Sequence, residues 1–512
     1  MEKDNTIHEG VEAAGPERAQ SLLVPKYVNP AGNEYPVIAY NNYMFPDKLA
    51  TTEEEIDEVV QSIKSCGFNA NIWICEGLDG EWRNLITAYY KVAAANGLRT
   101  IYNLILQVPK VERKDTAFAQ QNGVVYDPSL ARIAELLNLN KGNANLWGYY
   151  LGDEPKYNEW AFNTPAAPVG LRDYPAMFRT YLQNANGHVG FFNLLATVEE
   201  DDIGKEIYDS PATDKAKYEK YLKAFKDKFN PSMMSVDIYP VFIKTKELSH
   251  CDDLGGYFLL KRYYYILEAI GDFSTQYSMP FWMFMLSTKL TFYEKGSKSI
   301  RAEHPYPSEG VLRYQAMNAL AFGFQGLVFW TYGLKESSYQ DIPDPDDPKK
   351  KLFNEEYTDA PYEEGDTTGV WSNCRTVIME IRYYGDILLG SKFIQARHVY
   401  GPLISVRFDD TKDFSTYMGC LADAKSNGRG FVVTQLNKDS GDKYMVIVSH
   451  DPYNEQNITI RISAGIKWEE VVFQYKSPGY LDVHSGTTGN KEQTVTGTLE
   501  PGGFILIHYT NM

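Results

Sequence analysis

The chain has 512 residues, 44% hydrophobic and 23% charged, enough for two or three globular domains. Its formal net charge is −17 and its longest basic run is Lys349-Lys350-Lys351, which excludes a nucleic-acid partner, because such binding draws on clustered Lys and Arg. No apolar run approaches the ~20 residues of a membrane helix, which argues against an integral membrane segment.

Residues 1–34 read as a polar leader with little to bury and no apolar signal core. Either the chain is cytosolic or a signal has been removed ahead of this numbering. From Tyr35 onward, apolar strand-like runs alternate with amphipathic helical stretches. The predicted strands are Pro36–Tyr43, Asn69–Cys75, Arg99–Gln107, Leu146–Leu151, His188–Leu195, Met234–Tyr239, Pro280–Leu286 and Gln325–Trp330. Thr51-Thr52-Glu53-Glu54 signals the start of the first helix. Further helices are predicted over Glu81–Asn96, Leu171–Gln183, Asp214–Phe229, Tyr257–Ser278 and Ser308–Gly323.

Eight strand–helix repeats in about 350 residues predict an α/β fold, a (β/α)8 TIM barrel over residues 35–391. A doubly wound open sheet would carry a Gly-rich turn after strand one, and Asn41-Asn42-Tyr43-Met44 is not one. Beyond residue 392 the texture changes to short alternating runs, among them Phe431–Gln435, Met445–Ser449, Ile458–Ile462, Val471–Tyr475 and Phe504–Ile507. These predict a C-terminal antiparallel β-sandwich over 392–512.

The five cysteines form no CxxC pair, so buried free thiols are expected rather than a zinc site. The histidines show no metal spacing, and neither a metal nor a cofactor is expected. Asp341-Ile342-Pro343-Asp344-Pro345-Asp346-Asp347 lies in a long loop, 334–368, that reads as a rim or lid. A solvated acidic segment is the better reading of it than a calcium site.

Active sites of this barrel lie at the C-terminal ends of the strands. The polar residues there include Tyr40 and Asn41 (strand one), Glu76 (two), Asp153 and Glu154 (four), Asn193 (five), Asp237 and Tyr239 (six), and Trp330 (eight). Trp282 on strand seven and Trp330 are placed nearest the mouth, as sugar-stacking candidates. The sharpest signal is Gly148-Tyr149-Tyr150-Leu151-Gly152-Asp153-Glu154-Pro155. A carboxylate pair directly after a buried strand is costly unless it is used, and Pro155 biases Glu154 away from the helical region. A raised carboxyl pKa suits a proton donor at a glycosidic oxygen.

The stretch GYYLGDEP resembles the strand-four signature of clan A barrel glycosidases. It is most similar to β-galactosidase-like enzymes and to gut Bacteroides families that carry Asp-Glu-Pro. Ser308–Tyr332 resembles their helix-seven to strand-eight segment, and Leu499–Ile507 the last strand of their C-terminal β-domains. The resemblance implies a glycoside hydrolase with Glu154 as acid/base, acting on a plant or host oligosaccharide or polysaccharide, in the periplasm or outside the cell. Asp153 stands where the clan usually has Asn. The clan's nucleophilic Glu at the end of strand seven is missing, since the sequence there reads Met285-Leu286-Ser287-Thr288. Asp237 is the leading second carboxylate, followed by Glu76 and Glu309. Asp153, Tyr40, Asn41, Glu76, Asn193, Tyr239, Trp282 and Trp330 are assigned to substrate binding. The alternative is a barrel that binds carbohydrate without cleaving it. A Schiff-base role for Lys289 has little support.

Overall fold

The computed structural model describes residues 24–41, 52–74, 80–113, 125–127, 130–164, 166–246, 249–294, 297, 299–334, 342–343, 351–352, 355–363, 366–404, 406–414, 418–473 and 477–511. Eight parallel strands close on themselves: β1 (Val37–Asn41), β2 (Ala70–Ile74), β3 (Arg99–Asn103), β4 (Leu146–Asp153), β5 (Val189–Leu194), β6 (Met233–Asp237), β7 (Phe281–Leu286) and β8 (Leu327–Leu334). Each pairs with its neighbours in chain order, and β8 returns to β1 with Val37 opposite Leu327. The long helices are α1 (Glu53–Cys66), α2 (Gly80–Ala95), α3 (Leu130–Leu139), α4 (Tyr174–Asn184), α5 (Asp214–Phe229), α6 (Tyr263–Tyr277), α7 (Glu309–Ala321) and α8 (Gly369–Leu388). The first begins as its sequence signals: the Thr52 hydroxyl accepts from Glu55 N and the Glu55 carboxylate accepts from Thr52 N.

The strands are apolar on both faces because helices cover the outside and side chains fill the inside. Ile38, Ile72, Ile101, Phe191, Met233 and Val328 belong to the inner cluster. Period-two alternation carries that inward face up the strands. Val189 and Phe191 lead to Asn193, and Met233 and Ser235 lead to Asp237, so both polar residues emerge at the mouth.

The bottom of the barrel is sealed by aromatics. Trp147 and Trp282 stack at 4.9 Å, and Tyr27 meets both edge-on at 6.2 and 6.3 Å. The indole Nε1 of Trp147 donates to Val28 O at 2.5 Å. The segment 24–34, expected to bury little, therefore closes the barrel floor. The chain before residue 24 lies outside the described residues.

After α8 come the sandwich strands β9 (Lys392–Tyr400), β10 (Leu421–Ser426), β11 (Gly430–Asn437), β12 (Lys443–Ser449), β13 (Gln456–Ile462), β14 (Ile466–Val471), β15 (Gly479–Leu481), β16 (Ser485–Thr487), β17 (Gln493–Leu499) and β18 (Phe504–Asn511). One antiparallel sheet runs β9-β11-β12-β18-β14-β16 and the other β10-β13-β17-β15. Alternate residues such as Ile458, Ile460 and Ile462 point into a core of their own. Cys66, Cys374 and Cys420 are free and buried, as expected, and Cys251 is buried. Among the described residues no helix is long and apolar enough to cross a membrane.

Candidate active site

The chain leaves the barrel after β6, β7 and β8 in antiparallel excursions that wall the mouth. Lys244–Thr245, Ile300–Glu303, Lys289–Tyr293 and Glu355–Thr358 form one small sheet, and Val241–Phe242, Cys251–Asp253 and Phe258–Leu260 another. Between these walls and the strand ends lies a cavity of about 480 Å³, with Asp153, Glu154, Asn193 and Asp237 on its floor.

The floor is set by an irregularity in β4. Its register against β5 shifts between Tyr150 and Gly152, which brings the Tyr150 hydroxyl onto Asp153 Oδ1 at 2.5 Å. Gly152 is a packing requirement, since a Cβ there would lie 2.5 Å from the Tyr174 ring and 2.8 Å from Phe192. The next residue but one, Glu154, has φ +44°, in the left-handed region. For a non-glycine residue that conformation costs on the order of 1–3 kcal/mol and persists where the surroundings hold it. Here Glu154 N donates to Asn193 O at 2.9 Å. The bend lifts the Glu154 carboxyl off the strand axis and into the cavity.

Asn193 organises the acids. Its Nδ2 donates to Asp153 Oδ1 and to Asp237 Oδ1, both at 3.1 Å. Its Oδ1 accepts from Ser235 Oγ at 3.0 Å, which fixes the amide's orientation. Glu154 and Asp237 line the same cavity, and each carboxyl shifts the other's titration. Two carboxylates so placed cannot both ionise cheaply. The Asp237 charge beside it, then burial, then Asp153, hold the Glu154 carboxyl well above the usual range. Burial, then Asp153, push Asp237 up to about 7, against the downward pull of its bonds to Glu154 and Asn193. Asp153 is raised by burial and pulled back by Tyr150 and Asn193. The titrations of Glu154 and Asp237 belong to the pair.

Six of the residues singled out in the sequence therefore meet in this cavity: Asp153, Glu154, Asn193, Asp237, Tyr239 and Trp330. Others do not. Tyr40 lies beneath the floor, buried, taking a bond from Asn103 Nδ2 at 2.7 Å, with the Trp330 ring 4.4 Å away. Asn41 is fully buried and is not among the residues lining the cavity. Trp282 belongs to the barrel floor, because position 282 is near the start of β7, not its end. Glu76 lies outside the described residues, as do Cys75, Asp341 and residues 344–347.

The acids that follow β7 are all engaged away from the cavity. Glu294 pairs with Lys246 at 2.6 Å. Glu303 holds Lys289 at 2.8 Å, which removes that lysine from any nucleophilic role. Glu309 sits on α7, 3.5 Å from Arg313. At the end of β7 itself, Leu286 N and O are bonded to the Gln315 amide at 2.9 and 3.1 Å. Sequence reasoning missed Glu355, Tyr357, Arg262, Arg301, Phe242 and Phe292, which also line the cavity. They come from excursions whose short strands carry no readable period. Only the length of the 334–368 loop signalled that Glu355 and Tyr357 belong to the rim.

No protein-family model and no curated protein sequence matches the chain. Among solved structures, a β-galactosidase from Rahnella sp. R3 is 10% identical over 72% of this chain and 59% of its own, with a TM-score of 0.44. GH5_18 from Streptomyces cattleya, in complex with GlcNAc, is 11% identical over 68% of this chain and 81% of its own, with a TM-score of 0.41. An endo-1,4-β-xylanase from Caldicellulosiruptor owensensis is 10% identical over 69% of this chain and 99% of its own, with a TM-score of 0.37. The chain spans 59% of the length of the Rahnella enzyme and of a second β-galactosidase, from Marinomonas ef1. The chain's own architecture is a closed eight-stranded parallel barrel followed by an antiparallel β-sandwich.

Proposed function

We propose that the chain is a glycoside hydrolase that cleaves O-glycosidic bonds of a plant or host glycan by carboxylate acid/base catalysis. The observation that carries this reading is the meeting of Glu154, Asp237, Asp153 and Asn193 at the barrel mouth, where the Asp237 charge, then burial, raise the Glu154 carboxyl well above the usual range. Glu154, the group held more strongly protonated, is the donor to the leaving oxygen. Asp237, ionised near neutrality, is the base or nucleophile. Asn193 and Asp153 position the pair, and Tyr239, Trp330 and Tyr357 offer ring faces to the sugar. Retaining enzymes separate their carboxyls by ~5–5.5 Å and inverting ones by ~6.5–9.5 Å. The Glu154–Asp237 separation in the substrate complex therefore decides between the two outcomes.

In this reading the barrel over 35–391 carries the chemistry, and 392–512 is a separate sandwich that supplies no group to the cavity. A periplasmic or extracellular site of action rests on the resemblance of Gly148–Pro155 to enzymes of glycan breakdown. The missing carboxylate at the end of β7 favours one rival, a barrel that binds glycans without cleaving them.

A panel of aryl glycosides and polysaccharides, assayed with wild type and Glu154→Gln, separates the two. Hydrolysis that falls roughly 10²–10⁴-fold in the variant is the expected result. Turnover within a few-fold of wild type, or glycan binding with no turnover by either protein, overturns the hydrolase reading.

A further inference from the structure

The cavity is bipolar. Its floor carries the acids of β4–β6, while two guanidinium groups, Arg262 and Arg301, line it from the excursions after β6 and β7. Arg262 stands between the Phe258–Leu260 strand and α6. Its Nε–H is buried and has no hydrogen-bond partner. The ion pair it makes is long, Nη1 to Glu199 Oε1 at 3.9 Å, with the Glu199 side chain 62% exposed. An exposed pair at that distance contributes little. A buried, unsatisfied donor is costly, and such groups are ordinarily matched by protein, water or ligand. Asp202, the other acid in its neighbourhood, is also drawn on by Lys156. Arg301 lies over the Phe292 ring at 5.5 Å, a packing that holds its guanidinium plane at the cavity wall.

We infer that the cavity selects glycans carrying an oxyanion, a uronate carboxylate or a sulfate ester, which Arg262 receives through the part of its guanidinium that lines the cavity while the glycosidic oxygen lies over the acids. This rests on the reading of the cavity as a glycan site. A guanidinium fork matches carboxylate and sulfate oxygens in geometry and charge, whereas a neutral hydroxyl would satisfy the donor but leave the charge unmatched. The placement also keeps the substrate's negative charge on the wall away from the floor carboxylates. The overall charge of −17 does not oppose it, because a site's local field at contact distance outweighs charges beyond a Debye length of ~8 Å.

The test uses the full chain with Glu154→Gln, so that binding is read without turnover. Methyl glucosides and galactosides in three forms, neutral, 6-carboxylate and 6-sulfate, are titrated by calorimetry. At least one acidic form should bind tenfold or more tightly than its neutral partner, and its identity tells carboxylate from sulfate. Adding Arg262→Gln should abolish that preference, Arg262→Lys should keep part of it, and raised salt should weaken it in the parent. Equal binding of neutral and acidic forms, no binding of any acidic form, or a preference that survives Arg262→Gln overturns the inference. Selective binding with no hydrolysis of any glycoside by wild type would sink the hydrolase reading and leave this inference standing.

Discussion

Two buried charge clusters in this barrel are built on opposite principles. Between α7 and α8, Arg313 meets Glu380 in a fork, Nε to Oε2 at 2.8 Å and Nη2 to Oε1 at 2.9 Å, with both side chains almost fully buried. At the mouth, Asp153, Glu154 and Asp237 crowd together with only Asn193 and Tyr150 as donors among the bonds that join them. The first cluster satisfies its charges internally, and the second is left short of cations. A fold seeking only stability would not assemble three carboxylates around one amide, whereas a proton-transfer site needs groups whose environments push their titrations apart.

The sharpest break in this contrast is Asp237→Asn. Removing the ionised partner should cost hydrolysis roughly 10²–10⁴-fold while leaving thermal stability unchanged or improved. Full turnover in an initial-rate assay would show that the acid cluster works without it. The converse experiment is Glu380→Gln, which removes the buried fork from Arg313 and leaves it the half-exposed Glu309 at 3.5 Å. Chemical denaturation should show a loss of about 3–5 kcal/mol, with kcat retained in the protein that stays folded. A stability change below about 1 kcal/mol would erase the distinction between the two clusters.

A finer test reads the pH profile. Hydrolysis should be bell-shaped, with an acidic limb near 7 where Asp237 takes up its proton and an alkaline limb where Glu154 loses its own. The Asn193 bond stabilises ionised Asp237, so Asn193→Ala should move the acidic limb upward. A limb that stays in place, or moves down, would remove Asn193 as a positioning residue.

The smallest effect concerns stability. A carboxyl whose folded pKa is raised favours folding below its unfolded pKa and opposes it as pH rises toward the folded value. Glu154→Gln should therefore raise Tm by more at pH 9 than at pH 5, and an equal increment at both would contradict the raised pKa of Glu154.

Much of this molecule is legible in the sequence because strands buried on both faces are runs of apolar residues. The strands from Val37 to Leu334 begin within two positions of expectation, and α5 occupies Asp214–Phe229 as read. Glu154 and Asp237 were legible for the same reason: a carboxylate directly after such a run has few structural uses. Trp282 was misplaced because an aromatic residue looks alike at either end of a strand, and only the strand's direction separates mouth from floor. Arg262 and Glu355 could not be read. Their roles depend on excursions of two to five residues per strand, which pair with one another across long loops and leave no periodic trace.

Barrel closure has a consequence for synthesis. Tyr40 O accepts from Thr331 Oγ1, a partner 291 positions away, and the first strand pairs with the eighth along the same seam. At 5–20 residues per second, the ribosome takes roughly 15–60 s to deliver that partner. Through that interval one side of Val37–Asn41 is an unpaired strand edge in an otherwise assembling sheet, the template on which chains add to one another. Escape from aggregation is decided while the seam is open, so slowing translation before Leu327 should cost yield more than slowing it afterwards.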